Sequence, residues 1–188
     1  MKYLGLLVGF SLVVLSGTPA GAGYDIQQGI HGMKWGSEIS QHTDLVRVYE
    51  SGPAAYYVNS SMYYQTANQM VSGVFYGFYK GRLFAMFIKL RSPAQFVDLE
   101  KQFTARHGKA KTTYDPATGL TVHRWQARDI KIKLKMRKSP LEYKMALYYA
   151  PISNRLNEEQ LENIPPGVYN KIPSGKQSNS KPVPLLEN

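Results

Sequence analysis

No cysteine occurs in the 188-residue chain. That excludes disulfides, thiolate nucleophiles, cysteine metal centres and lipid attachment through a cysteine at a cleavage site, so stability has to come from packing. Histidine is scarce as well, and His31, His42, His107 and His123 share no metal-ligand spacing. There is no Gly-x-Ser-x-Gly elbow and no glycine-rich phosphate loop after a strand, and Asp44, Asp98, Asp115 and Asp129 are scattered. The sequence therefore names no catalytic residue, no metal site and no cofactor. Acidic residues are in short supply too, 13 against 23 lysines and arginines, a formal net charge of +10.

A long uncharged apolar run occurs at the start, Tyr3 to Leu15, behind Met1 and Lys2. Ser16, Gly17, Thr18 and Pro19 then break a helix, and Ala20-Gly21-Ala22 sets small residues where a signal peptidase cuts. The run falls short of the roughly 20 residues a bilayer-spanning helix needs. Residues 1–22 are read as a cleaved signal peptide, which makes the mature protein periplasmic or secreted and not transmembrane. Its loss removes Lys2 and no acidic group, so the mature chain keeps a strong positive charge. About 165 mature residues suffice for one domain with a real core.

Along that chain, residues 23–36 form an irregular, glycine-rich opening that ends in Gly32-Met33-Lys34-Trp35-Gly36, with Trp35 expected to pin it to the domain. A short helix is expected from Ser37 to Leu45, then strands over 46–51 and 54–60 around the turn residues Gly52-Pro53. Two β-prone runs between Met70 and Leu90 meet at Lys80-Gly81 and predict a hairpin pairing Tyr79 with Arg82. Continuing that register sets Phe75 against Met86 and Gly77 against Phe84. Both faces of the hairpin are apolar, as in central strands covered on both sides.

Ser92 as cap, Pro93 in the first turn and Gln95 three residues on open the clearest helix. Phe96, Leu99 and Phe103 form its apolar stripe, and Gly108 follows its end. Strands are predicted over 120–127, 129–138 and 143–150, a last short helix over 157–163, and a disordered, proline-rich basic tail over 165–188. The order of elements predicts a single α+β domain, residues 23–164, with an antiparallel β-sheet and two or three helices packed mainly on one face.

The Gly32-Met33-Lys34-Trp35-Gly36 opening, the Phe78-Tyr79-Lys80-Gly81-Arg82-Leu83 hairpin and the run Met145 to Ile152 together resemble small secreted or periplasmic bacterial proteins of uncharacterised families. These share a signal peptide, a Gly-x-x-Trp-Gly opening and an antiparallel sheet with packed helices. The resemblance spans roughly residues 29–152. It implies a bacterial envelope setting and a two-layer fold, and carries no activity.

The functional lead is Asp129 to Lys138, where Ile130, Ile132, Leu134 and Met136 alternate with Lys131, Lys133, Lys135 and Arg137. A strand there buries the aliphatic set and presents four cations in one row, which Lys144 extends onto the next strand. Such a row suits an anionic partner: a lipid headgroup at a membrane surface, a cell-wall polymer or an acidic protein. Nucleic acid is not expected, because export removes the protein from it and no binding motif accompanies the charge. Arg106, Lys109 and Lys111 instead complement a helix C-terminus.

A second candidate surface is Tyr56, Tyr57, Tyr63 and Tyr64, suited to a protein partner or a sugar ring. The expected function is a non-enzymatic envelope binding or accessory module that works through the basic face. A structural or assembly subunit using the tyrosines and the tail is the alternative. An enzyme of unknown type, with His123 beside Trp125 as the first residue to suspect, is the third reading.

Overall fold

The computed structural model describes residues 25–71, 73–156 and 182–186. The chain enters through two short strands, β1 (Gly29–Ile30) and β2 (Met33–Lys34), and a 3-10 turn at Ile39–Gln41. It continues as β3 (Leu45–Ser51), β4 (Ala54–Asn59), β5 (Tyr64–Thr66), β6 (Gln69–Met70), β7 (Gly73–Tyr79) and β8 (Arg82–Leu90). After helix α1 (Pro93–His107) come β9 (Lys111–Asp115), β10 (Leu120–Ala127), β11 (Ile130–Lys138) and β12 (Leu141–Tyr149). A one-turn helix α2 (Ala150–Ser153) follows, and β13 (Val183–Pro184) lies near the C-terminus.

Eight of these strands form one antiparallel sheet in the order β3-β4-β7-β8-β12-β11-β10-β9. β3, β4, β7 and β8 lie in chain order on one side. α1 then carries the chain to the far edge, from which β9 to β12 return strand by strand until β12 pairs with β8. The α+β expectation is thereby corrected: the protein is mostly β, with only two helices among the described residues. The physical reason is that α1 alone has a helical apolar stripe. Residues 37–45 are too polar to pack a helix and make a single 3-10 turn before strand β3 begins. The helix expected over 157–163 lies outside the described residues.

α1 forms as its sequence dictates. Ser92 Oγ accepts from the Gln95 amide at 3.3 Å, and Gly108, at φ 77°, ends the helix where its amide reaches the Thr104 carbonyl. Phe96, Leu99 and Phe103 are buried in the larger core with Trp125, Ile132 and Leu134. Burial of such side chains contributes about 2 kcal/mol apiece. A smaller core on the opposite face gathers Tyr56, Phe75, Phe84, Phe87, Ala146, Tyr148 and Leu156.

The β7–β8 hairpin turns at Lys80 and Gly81, both at positive φ, and pairs Tyr79 with Arg82 as expected. Beyond Phe78 and Leu83 the register shifts, and Gly77 lies opposite Ala85 and Phe75 opposite Phe87. The expected Phe75–Met86 and Gly77–Phe84 pairs are corrected by this one-residue bulge at Phe84. The cause is visible at Gly77, where a Cβ would stand 2.9 Å from the Phe84 ring and 3.2 Å from that of Phe87. The bulge lets both rings fill the space that the missing side chain leaves.

Two distant segments close the larger core. Trp35 donates to the Ile26 carbonyl at 2.6 Å and stacks on Tyr149, holding the opening segment against the sheet. Near the other end, β13 pairs in parallel with β5, and Leu185 and Leu186 are 1% and 7% exposed. Residues 182–186 thus pack with the domain, because two adjacent leucines supply the apolar area that the preceding polar stretch lacks. His31 joins the two segments. Its Nε2 donates to the Leu185 carbonyl at 3.1 Å, and its Nδ1 meets the Tyr76 hydroxyl at 2.8 Å, which in turn meets Tyr64 at 2.6 Å.

Candidate anion-binding face

Strand β11 alternates as its sequence requires. Ile130, Ile132 and Leu134 are fully buried and Met136 packs at the margin of the core, while Lys131, Lys133, Lys135 and Arg137 are partly buried on the other face. Residues directly opposite in an antiparallel sheet share a face, so the register shows what joins them. Lys144 of β12 lies opposite Lys135, and Lys89 of β8 lies opposite Lys144. In the other direction Arg124 of β10 lies opposite Lys133, and Lys111 of β9 opposite Arg124.

The face therefore carries two transverse rows of cations as well as the row along β11. Neighbouring strands are about 4.8 Å apart and alternate residues about 6.7 Å apart. Every cation thus lies within about 8 Å, the screening length at physiological salt, of the next. Glu142, opposite Arg137, sits 2.9 Å from the Lys144 ammonium and makes the local potential uneven. Lys131 donates to Asn154 beyond α2, and Lys133 lies 5.3 Å from the centre of the Tyr148 ring. The cationic part of the face thus adjoins the smaller core directly, through Tyr148 and Ala146.

All five cations named from sequence, Lys131, Lys133, Lys135, Arg137 and Lys144, come together here. Lys89, Arg124 and Lys111 were missed. Lys89 joins through the long-range β8–β12 pairing and Lys111 through β9, which sequence reasoning left unassigned, while Arg124 joins through the register of the neighbouring β10–β11 hairpin. Of the other post-helix cations, Arg106 stays in the last turn of α1.

The four tyrosines do not form one surface. Tyr56 and Tyr64 are buried, 2% and 4% exposed, on opposite faces, and burial pushes both hydroxyls up to about 12. Tyr57 packs edge-on against Phe78, and Tyr63 is half-buried beside β13, where its carbonyl accepts from Val183.

His123 stacks on Trp125 and meets Thr112 Oγ1 at 3.0 Å and Glu100 Oε1 at 3.5 Å, while Trp125 donates to the Gly108 carbonyl. These contacts tie α1 to β9 and β10. Among the described residues no cluster of histidine and carboxylate side chains has metal-site geometry, and no helix is long and apolar enough to cross a membrane. In comparisons with known proteins no family model matches the chain, and neither a curated protein nor a solved structure is significantly similar to it.

Proposed function

We propose that the protein is a non-enzymatic binding or accessory module of the bacterial envelope, exported by its N-terminal segment, that holds an anionic partner on the cationic face of its sheet. The observation that carries this reading is the transverse row Lys135, Lys144 and Lys89, set opposite one another on three adjacent strands. Like charges directly opposite in a sheet disfavour folding. The row shares its face with Lys131, Lys133 and Arg137, so the potentials of these cations add, with Glu142 beside Lys144 offsetting part of the sum. The summed potential of such a face raises the local concentration of anions and speeds their encounter. Phosphate-bearing lipid headgroups, anionic cell-wall polymers and acidic proteins all offer the repeated negative charge that a flat cationic face suits.

The test is co-sedimentation of the purified protein with anionic vesicles, neutral vesicles and cell-wall material over a range of salt concentrations. A variant with Lys131, Lys133 and Lys135 changed to Gln runs alongside, its fold checked by circular dichroism. Binding to one anionic material that weakens steeply with salt and is lost in the variant supports the proposal and names the class of partner. Equal binding by the variant, or none by the wild type, sinks it.

A further inference from the structure

The two edges of the eight-stranded sheet are built differently. β3 is interrupted by a bulge between Arg47 and Tyr49, and Arg47 is tied to Glu50 at 2.8 Å on the same strand. Bulges and edge charges of this kind discourage another chain from pairing there. β9 has no bulge, and its two charges, Lys111 and Asp115, stand at opposite ends of the strand, the Asp115 carboxylate also accepting from the Ala117 amide and the Thr118 hydroxyl of the turn that follows. Its five residues pair with β10 in unbroken register, all five are exposed, and Pro116 comes only after the strand ends. Among the described strands none pairs with its outer side.

The sequence of β9, Lys111-Thr112-Thr113-Tyr114-Asp115, is complementary to itself when reversed. An antiparallel pair of two such strands centred on Thr113 sets Lys111 of each copy opposite Asp115 of the other. It also sets Thr113 opposite Thr113 and Thr112 opposite Tyr114. Opposite charges and threonine pairs at directly opposed positions are favourable cross-strand combinations. Within one copy Lys111 faces the cation Arg124, so a carboxylate arriving on its other side relieves a like-charge contact. With a formal net charge of +10 two copies repel over most of their surfaces. A seam that brings opposite charges into register is where they approach at least cost.

The geometry points to β9 as a homodimer edge, through which two copies of this chain join their sheets about a two-fold axis perpendicular to the sheet. An axis in that direction turns the same face of both sheets to the same side. The pairing stands independently of any anion the face holds.

Sedimentation velocity on the purified protein, from micromolar to sub-millimolar concentration, tests it with Lys111→Asp, Asp115→Lys and the double exchange. Each single change sets like charges across the seam twice, while the two alter net charge in opposite directions. The double change restores opposed pairs and the original net charge. The wild type is expected to dimerise, each single variant to dimerise at least about tenfold more weakly, and the double variant to recover. A monomeric wild type, a dimer indifferent to the single changes, or no recovery in the double variant would each overturn the assignment.

Discussion

Acid should loosen the joint at His31 before it touches most of the fold. The Nε2 hydrogen is committed to the Leu185 carbonyl, which can only accept, so Nδ1 must be the unprotonated nitrogen that accepts from Tyr76. Tyr76 lies 2.6 Å from the Tyr64 hydroxyl, which also donates to Met62 Sδ and which burial keeps protonated by pushing its pKa up to about 12. Protonating His31 puts a hydrogen on Nδ1, so Tyr76 can no longer donate to it, and places a charge in a desolvated site. Burial therefore lowers its pKa from the ordinary 6.5 to about 4, against a smaller opposing effect of the Leu185 carbonyl.

Between those two values the unfolded chain binds the extra proton and the folded chain does not. Stability from this group is thus complete above about pH 6.5 and is lost progressively as pH falls toward 4. At 1.36 kcal/mol per unit the full loss is about 3 kcal/mol, an upper bound because the ring is not wholly buried. His31 sits at φ 48°, so the variant of choice is His31→Asn, since asparagine tolerates that backbone region.

Urea unfolding followed by tryptophan fluorescence, at pH values from 4 to 8, gives the two stability curves. Other titrating groups, including His107, whose pKa burial and then Arg106 lower, contribute to both and cancel in the difference. Wild type should be clearly the more stable at pH 7, and the two curves should converge toward pH 4. Curves that stay parallel across that window would refute the reasoning.

Three packing features give further expectations. Gln95 is fully buried and satisfies the Arg91 amide and the Gln69 and Met70 carbonyls. Gln95→Leu should cost about 1–3 kcal/mol in urea unfolding, because those groups lose their partner. Gly77→Ala should cost about 1–3 kcal/mol by forcing Phe84 and Phe87 apart, read as a lower midpoint with an unchanged denaturant slope. Leu185→Ala should cost about 2–5 kcal/mol, as for a core leucine, and an effect below 0.5 kcal/mol would mean that β13 does not hold in solution.

Legibility in the sequence followed the range of the interactions. α1 and the β7–β8 turn could be read because cap, stripe, stop and turn residues act within a few positions of one another. β11 was readable for the same reason, since strict alternation needs no partner to be recognised. The shift at Phe84 was not, because it depends on two rings competing for the space over Gly77. The larger misjudgement concerned fold class. Short strands such as β5, β6 and β13 carry too few residues to show a period, and a polar run such as 37–45 resembles a capped helix unless its lack of an apolar stripe is given weight. Of the cationic face, the row along β11 and Lys144 was legible, while Lys89 entered it only through the β8–β12 pairing, far apart in sequence, and Arg124 through the register of the β10–β11 hairpin.

The Leu185–Leu186 contact also changes the meaning of a cut in the chain. Leu156 belongs to the smaller core and Pro184 to the sheet with β5, and the chain joins these two segments through residues 157–181. While that span is intact, the C-terminal segment is an intramolecular ligand of β5. A single nick anywhere in the span turns the same segment into a separate peptide that must find β5 by diffusion. Its residence beside His31 would then depend on dilution, and one proteolytic event between the two segments would give this fold a dissociable piece.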